Sequence, residues 1–376
     1  MKDTVYDREV APEVGEARLQ ELLRLYPDSA GWEQRKKCLR EGLLTAMELN
    51  PAPEKCPLIL VYGGHKEFEH YTIDNIAFEC VPGVWITGNL YRPEQAAPRP
   101  VPAILLAHGH GKPEPLEDSP RFSEATQRLA ASLASMGAVV YAYDMFAYGE
   151  SAYHAGVGVH RTSLTQTIQT WSSLRVIDFL TSLKGVDSRR IGMTGASGGG
   201  TQTFLATAID ERIAVSVPVV QVSSFFPGGC TCESGRPIHA QCDVWSNNAE
   251  IAAMAAPRAQ LVISDGKDWT RTVDRVEFPY IQTIYGYYGQ AEQVENAHFP
   301  EEGHDYGYSK RCAAYRFFAA RLGLDLRVIT NSDGTIDEAG YPLLPADELA
   351  VFSDKQLPEG TLHSMEDIHK AFCGNH

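Results

Sequence analysis

A serine, an aspartate and a histidine, in that order along 376 residues, are the side chains whose types and spacing could do chemistry. The serine is Ser197, inside Gly195-Ala196-Ser197-Gly198-Gly199, which fits G-x-S-x-G and runs on into Gly200. In that pattern a strand turns so sharply into a helix that the backbone is strained and the hydroxyl exposed. A side chain at Gly195 or Gly199 would meet the strand-helix crossing, and glycine tolerates the backbone angles cheaply. A phosphate-binding loop would carry lysine after its glycines, but Thr201 and Gln202 follow here. The chemistry implied is nucleophilic attack by the Ser197 hydroxyl.

A hydroxyl is a weak nucleophile until an imidazole takes its proton, and the imidazole needs a carboxylate to fix its tautomer. Glu302-Gly303-His304-Asp305-Tyr306 lies between a strand and the last helix, and its glycine lets the loop turn His304 toward the sheet edge. His298 sits close by, at a strand end before Phe299-Pro300, where a structural or substrate-lining role is expected. The carboxylate comes from Asp265-Gly266-Lys267-Asp268-Trp269. Asp268, several residues past its strand, is preferred; Asp265 reads as a turn former before Gly266. An acyl-transfer oxyanion needs two preorganised N–H groups. Gly198 supplies one, and the His110 N–H of His108-Gly109-His110-Gly111 is expected as the other. No carboxylate gives these histidines a ligand spacing, so no metal is expected there.

Two more loops carry candidates. Asp144-Met145-Phe146-Ala147-Tyr148-Gly149-Glu150-Ser151 fits D-x-x-x-x-G-x-S, with Tyr148 placed to line a pocket. In Phe226-Pro227-Gly228-Gly229-Cys230-Thr231-Cys232-Glu233 and the residues after it, Glu233 and Arg236 are expected to project over the nucleophile and touch substrate, or else to form a surface ion pair of little consequence. Cys230, Cys232, His239 and Cys242 offer a Cys₃His zinc set as an alternative to a packed loop with free thiols. The scattered Cys38, Cys56, Cys80, Cys312 and Cys373 read as small buried residues or free thiols.

These loops need a scaffold. Helical spacing over 14–26 and 32–48, joined by a Pro-Asp-Ser turn, predicts an N-terminal helical extension ending at Asn50-Pro51-Ala52-Pro53. Residues 73–93 read as an antiparallel pair around a Pro-Gly turn. Strands over 101–107, 138–143, 213–219, 260–264 and 293–297 alternate with helices over 122–136, 164–183, 273–285 and 306–322. That alternation predicts a mostly parallel, doubly wound sheet with helices on both faces and ligands at the carboxyl ends of its strands. The expected division is a helical extension at 1–56, a catalytic domain at 57–324 and a tail packing on it at 325–376.

The charge of −15 opposes a nucleic-acid partner, and no stretch approaches a membrane span. The first residues lack the apolar core of a secretory leader, so a cytoplasmic location is expected.

Taken in order, the motifs at 108–111, 144–151, 195–200, 265–269 and 303–306 resemble those of the α/β-hydrolase superfamily, within it the acetyl xylan esterase-like and dienelactone hydrolase-like branch. The Gly-Gly-Cys-x-Cys-Glu loop is similar to one in a bacterial acetyl xylan esterase-like subgroup. The resemblance implies a serine carboxylic-ester hydrolase, without cofactor, acting through an acyl-enzyme on small acetyl-type esters of a carbohydrate or similar alcohol. Alternatives are a lactone, amide or carbon-carbon bond hydrolase on the same triad, or a zinc-binding protein using the Cys230/Cys232 loop. The terminal extensions lie outside the common core, where they would shape the pocket or a homo-oligomer contact.

Overall fold

The computed structural model describes residues 8–94, 99–111 and 119–373. The initial segment read for a leader lies outside them. Helix α1 (Pro12–Leu25) opens with proline, whose missing N–H costs nothing in a first turn. Helix α2 (Ser29–Ala46) is capped by Asp28, which accepts the Gly31 N–H at 2.9 Å. Next come β1 (Val61–Glu67), β2 (Tyr71–Val81), β3 (Val84–Pro93), β4 (Val101–Ala107), α3 (Glu124–Ser135), β5 (Val139–Tyr143) and α4 (Ser163–Ser182). Strand β6 (Val186–Ala196) leads to α5 (Gly198–Ile209), followed by β7 (Ile213–Val219), two short helices α6 (Thr231–Ser234) and α7 (Asn248–Ala253), and β8 (Ala259–Asp265). The chain continues through α8 (Glu277–Gly286), β9 (Val294–Phe299), α9 (Tyr308–Leu322), α10 (Ala346–Leu349) and α11 (Met365–Cys373).

The strands hydrogen-bond in the order β1-β2-β3-β5-β4-β6-β7-β8-β9. Pairing is antiparallel from β1 to β2, β2 to β3 and β3 to β5, and parallel in β4–β5, β7–β8 and β8–β9. The expected alternation of parallel strands and helices is therefore present. Strand β1 is an addition: Val-Tyr-Gly-Gly-His-Lys-Glu is half exposed and carries no clean alternation. No helix of the described residues is long and apolar enough to cross a membrane.

The chain forms two compact units. One comprises Met1–Ala52, Arg161–Thr170 and Met193–Tyr306. Within it, Glu250 is wholly buried and fully used: Arg35 donates to both its oxygens at 2.8 and 2.9 Å, and the Tyr26 hydroxyl donates at 2.7 Å. Cys38 and Cys242 form a disulfide across 204 residues. This corrects two expectations: Cys38 is not a free thiol, and Cys242 is not available to a Cys₃His zinc set.

The other unit comprises Pro53–His160, Trp171–Gly192 and Gly307–His376. The buried Arg121 guanidinium donates to Asp144 at 2.9 Å, Glu150 at 2.6 Å, Asn89 at 2.7 Å and the Leu349 carbonyl at 3.2 Å. Glu150 also accepts the Val351 and Phe352 N–H groups at 2.9 and 2.7 Å. Val351 and Phe352 then pack against Ala77 and Trp85. Gly149 completes the D-x-x-x-x-G turn at φ +53°; a Cβ there would lie 2.0 Å from Asp144 Oδ1.

Candidate active site

At the end of β6 the chain turns directly into α5 through Ser197, whose φ of 57° and ψ of −123° form a conformation costly for any residue but glycine. It is held by two backbone bonds: the Ser197 N–H donates to Val219 O at 3.1 Å, and the Ser197 carbonyl accepts the Thr201 N–H at 3.0 Å. The glycines answer to space. A Cβ on Gly200 would meet Gln221 Cβ at 2.7 Å and Val219 O at 2.8 Å, so no larger residue lets α5 start this close to β7. The helix leaves its first N–H groups, Gly198 among them, aimed out of its N-terminus, where they suit a developing negative charge.

After β8, the Asp268 loop is set by its own hydrogen bonds. Asp268 Oδ1 accepts the Thr270 N–H at 2.5 Å and the Thr270 hydroxyl at 2.6 Å, while Oδ2 faces His304 Nδ1 at 2.6 Å. The carboxylate side chain is 3% exposed and the imidazole 30%, a buried carboxylate hydrogen-bonded to a solvent-reachable imidazole. With the proton on Nδ1 donated to Asp268, Nε2 keeps its lone pair free to accept. The loops bearing the two residues are joined to each other: Gly266 N–H donates to Phe299 O at 3.0 Å, and the Lys267 ammonium to Glu301 O. Tyr306 fixes the far side, its hydroxyl donating at 2.8 Å to Thr194 Oγ1, which itself donates to Val217 O. Asp265 stands apart from this pairing and accepts the Lys267 N–H at 3.1 Å, the turn geometry expected of it.

Aromatic residues that the motifs did not mark complete the surroundings of His304. The Trp269 ring lies 4.3 Å from the imidazole by centroid, and Phe226 stacks on that indole, also at 4.3 Å. The Trp269 N–H donates to Gln221 Oε1 at 3.2 Å. A tryptophan adjoining Asp268 was the available signal for this layer.

The substrate-contact expectation for Glu233 needs revision. It is 3% exposed, and its carboxylate turns inward to accept the Gly229 and Cys230 N–H groups at 3.1 Å each and the Gln221 amide at 3.1 Å. A charge beside two glycines pins their loop here and does not project from it. Arg236 pairs with Glu48 at 2.6 Å, and its backbone N–H is received by Gln166 at 3.0 Å. A hydrogen bond with Cys230, then burial, holds the Cys232 thiol well above its ordinary range, so it stays protonated. His298 Nδ1 meets the Ser264 hydroxyl at 2.9 Å, a tie between neighbouring strands.

His110, His108 and Tyr148 belong to the other compact unit. His110 is exposed on the loop after β4. Tyr148 is 3% exposed, with its ring 5.7 Å from His108, 5.8 Å from His110 and 5.1 Å from His160. His108 is neutral: burial pushes it down to about 4. Its Nδ1 donates to Gly109 O at 2.8 Å, and its Nε2 accepts the Met145 N–H at 3.0 Å. Both nitrogens are occupied in shaping the loop.

The family model for X-Pro dipeptidyl-peptidase (S15 family) matches residues 82–295. The solved structure of Methylesterase BT1017 is 37% identical, covers 98% of this chain and 80% of its own, and superposes with a TM-score of 0.89. YtaP of Bacillus subtilis (strain 168), whose name describes a hydrolase, is 30% identical over 129 residues, 31% of this chain and 42% of its own length. The 4-O-methyl-glucuronoyl methylesterase 1 of Sodiomyces alcalophilus is 26% identical over 159 residues, 33% of this chain and 31% of its own length. The chain thus matches less than half the length of these two curated relatives.

Proposed function

The chain belongs to the S15 (X-Pro dipeptidyl-peptidase) family of α/β hydrolases, and from that premise we propose that it is a serine carboxylic-ester hydrolase acting on carbohydrate esters. The observation that carries the chemistry is the buried Asp268 carboxylate hydrogen-bonded at 2.6 Å to His304, on loops joined to each other in the unit that holds the Ser197 elbow. Ser197 Oγ attacks the ester carbonyl as His304 Nε2 takes its proton, with Asp268 steadying the imidazolium. The Gly198 N–H stabilises the tetrahedral oxyanion. Collapse expels the alcohol, protonated by His304; water then attacks the acyl-Ser197 by the same route and releases the acid.

Two ester polarities fit this chemistry: an acetyl group on a sugar hydroxyl, and the methyl ester of a sugar acid. The second is favoured by the name of the 37% identical relative, a methylesterase covering nearly all of this chain. For location, the Cys38–Cys242 disulfide supports an oxidising compartment over the cytoplasm. The test supplies p-nitrophenyl acetate, an acetylated glucoside and methyl glucuronate to wild type and to Ser197→Ala. The reading expects methanol from methyl glucuronate in excess of acetate from the glucoside, and neither from the variant. Turnover surviving in Ser197→Ala contradicts it.

A further inference from the structure

A cavity lies in the unit that holds Ser197, and its wall shares Phe226 with the aromatic layer beside His304. Its volume is about 290 Å³, near the lower limit of roughly 300 Å³ at which pockets hold small ligands, so it suits a single ring and not a polymer. Phe226 forms part of its wall and also stacks on Trp269, the ring packed against His304. Two aromatic rings thus connect the cavity wall to His304.

Two residues of the cavity wall each carry a buried polar atom without a partner among the described residues: His239 Nδ1 and Asn247 Nδ2, in residues only 4% and 5% exposed. Their hydrogen-bonding characters follow from the bonds their other atoms make. The Asn248 amide nitrogen donates to Phe226 O and Pro227 O, both at 3.2 Å, so its Oδ1, 3.0 Å from His239 Nε2, is an acceptor. His239 therefore carries its proton on Nε2, and Nδ1 is an orphaned acceptor. Asn247 Oδ1 accepts the Glu250 N–H at 3.0 Å, so Nδ2 is an orphaned donor. A buried acceptor and donor left in this state cost stability unless something arrives to pair them. A hydroxyl can donate to one and accept from the other, and neutral His239 preserves that acceptor at ordinary pH, burial pushing it down to about 4.

The rest of the wall restricts the ligand further. Arg8 and Arg18 bring two guanidinium groups in a chain of net charge −15, and Trp245 leaves an indole 47% exposed. Guanidinium forks suit a carboxylate, and an exposed aromatic face beside hydroxyl-binding groups suits a sugar ring.

We infer that the cavity is a subsite for a sugar acid, with Arg18 and Arg8 on the carboxylate, His239 and Asn247 on a ring hydroxyl, and Trp245 against the ring. Resting on the esterase reading, this identifies the substrate class: a glycan that carries an acidic residue as well as the ester-bearing one, the acidic residue held past the stacked Phe226 and Trp269 rings. Occupancy of the cavity is separable from ester cleavage.

The experiment titrates glucuronate and glucose into wild type, Ser197→Ala, Arg18→Gln and Trp245→Ala, using isothermal calorimetry and ligand-observed NMR. Glucuronate is expected to bind wild type and Ser197→Ala alike, and at least about tenfold more weakly to Arg18→Gln and to Trp245→Ala, the scale of losing one charge-assisted contact. Glucose is expected to bind more weakly than glucuronate by a similar factor. Circular dichroism of the two cavity variants, both changed at side chains that contact solvent, is expected to match wild type. Absent glucuronate binding, equal binding of glucose, or undiminished binding in folded Arg18→Gln overturns the subsite. Glucuronate binding through Arg18 in a protein that cleaves no ester keeps the subsite and removes the esterase reading, so the two fail separately.

Discussion

Asp268 divides its two oxygens between separate tasks. Thr270 holds Oδ1 through two short bonds, which leaves Oδ2 fixed toward His304. Asp268→Asn keeps the size of the group but presents an amide to Nδ1 or flips the tautomer, so the imidazole loses the orientation that the proposed proton transfer from Ser197 needs. Steady-state kinetics on p-nitrophenyl acetate are expected to show kcat reduced on the order of 10³–10⁴-fold with KM changed far less. A loss below tenfold would mean that Asp268 does not orient the base. The Asp268–His304 pair is legible in sequence because each residue follows a strand by a loop long enough to reach over the sheet edge. Glu233 is not, since sequence places a charge beside glycines without saying which way the loop turns it. The cavity is equally hidden: Arg18 comes from α1 and His239 and Trp245 from the loop between α6 and α7, with no common motif.

Among the elements, the segment after α9 is the least periodic in sequence and among the best anchored in the structure. Its carbonyls at Glu348 and Ala350 accept from the Asn75 amide at 3.0 Å each, and Leu349 O accepts from Asn89 at 2.7 Å. Such an anchor leaves no hydrophobic period to read, because backbone groups meet side chains more than 200 positions away. Strand β1 escapes sequence reading for a related reason, its pairing with β2 overriding two glycines and two charges. Arg121 is the centre of the anchor. Arg121→Met leaves the buried Asp144 and Glu150 carboxylates without their cation and is expected to cost about 3–5 kcal/mol, read as a lower urea midpoint at unchanged slope. A midpoint within error of wild type would show that the network does not support the fold.

For the molecule as a whole, three buried histidines tie stability to pH. Burial pushes His108, His154 and His239 each from an ordinary 6.5 to about 4. Between those values the unfolded chain binds more protons than the folded one, so stability rises with pH through the window and is lost on acidification from about 6.5 to 4. Each site contributes up to ~3 kcal/mol above the window. His154 accepts the Trp85 N–H at 3.0 Å and donates to Leu362 O at 2.8 Å, both in its neutral form. The melting temperature is expected to fall from pH 7 to pH 4, less steeply in His154→Gln; identical profiles would remove His154 from this account. The Cys38–Cys242 bridge makes another molecule-wide statement, which the 204-residue separation hides from sequence. Thiol titration in denaturant is expected to find six groups before reduction and eight after it. Eight in both would mean the bridge is absent.

The central claim is that Ser197 is the nucleophile, and covalent trapping tests it most directly. A fluorophosphonate forms a phosphorus–oxygen bond to an activated serine and releases fluoride. Intact and peptide mass spectrometry after labelling is expected to find one adduct per chain, on Ser197, with ester hydrolysis lost in proportion to labelling. His304→Ala should slow the reaction on the order of 10³-fold or more. An adduct on another residue accompanied by loss of activity, or full activity in a chain labelled at Ser197, would contradict the account.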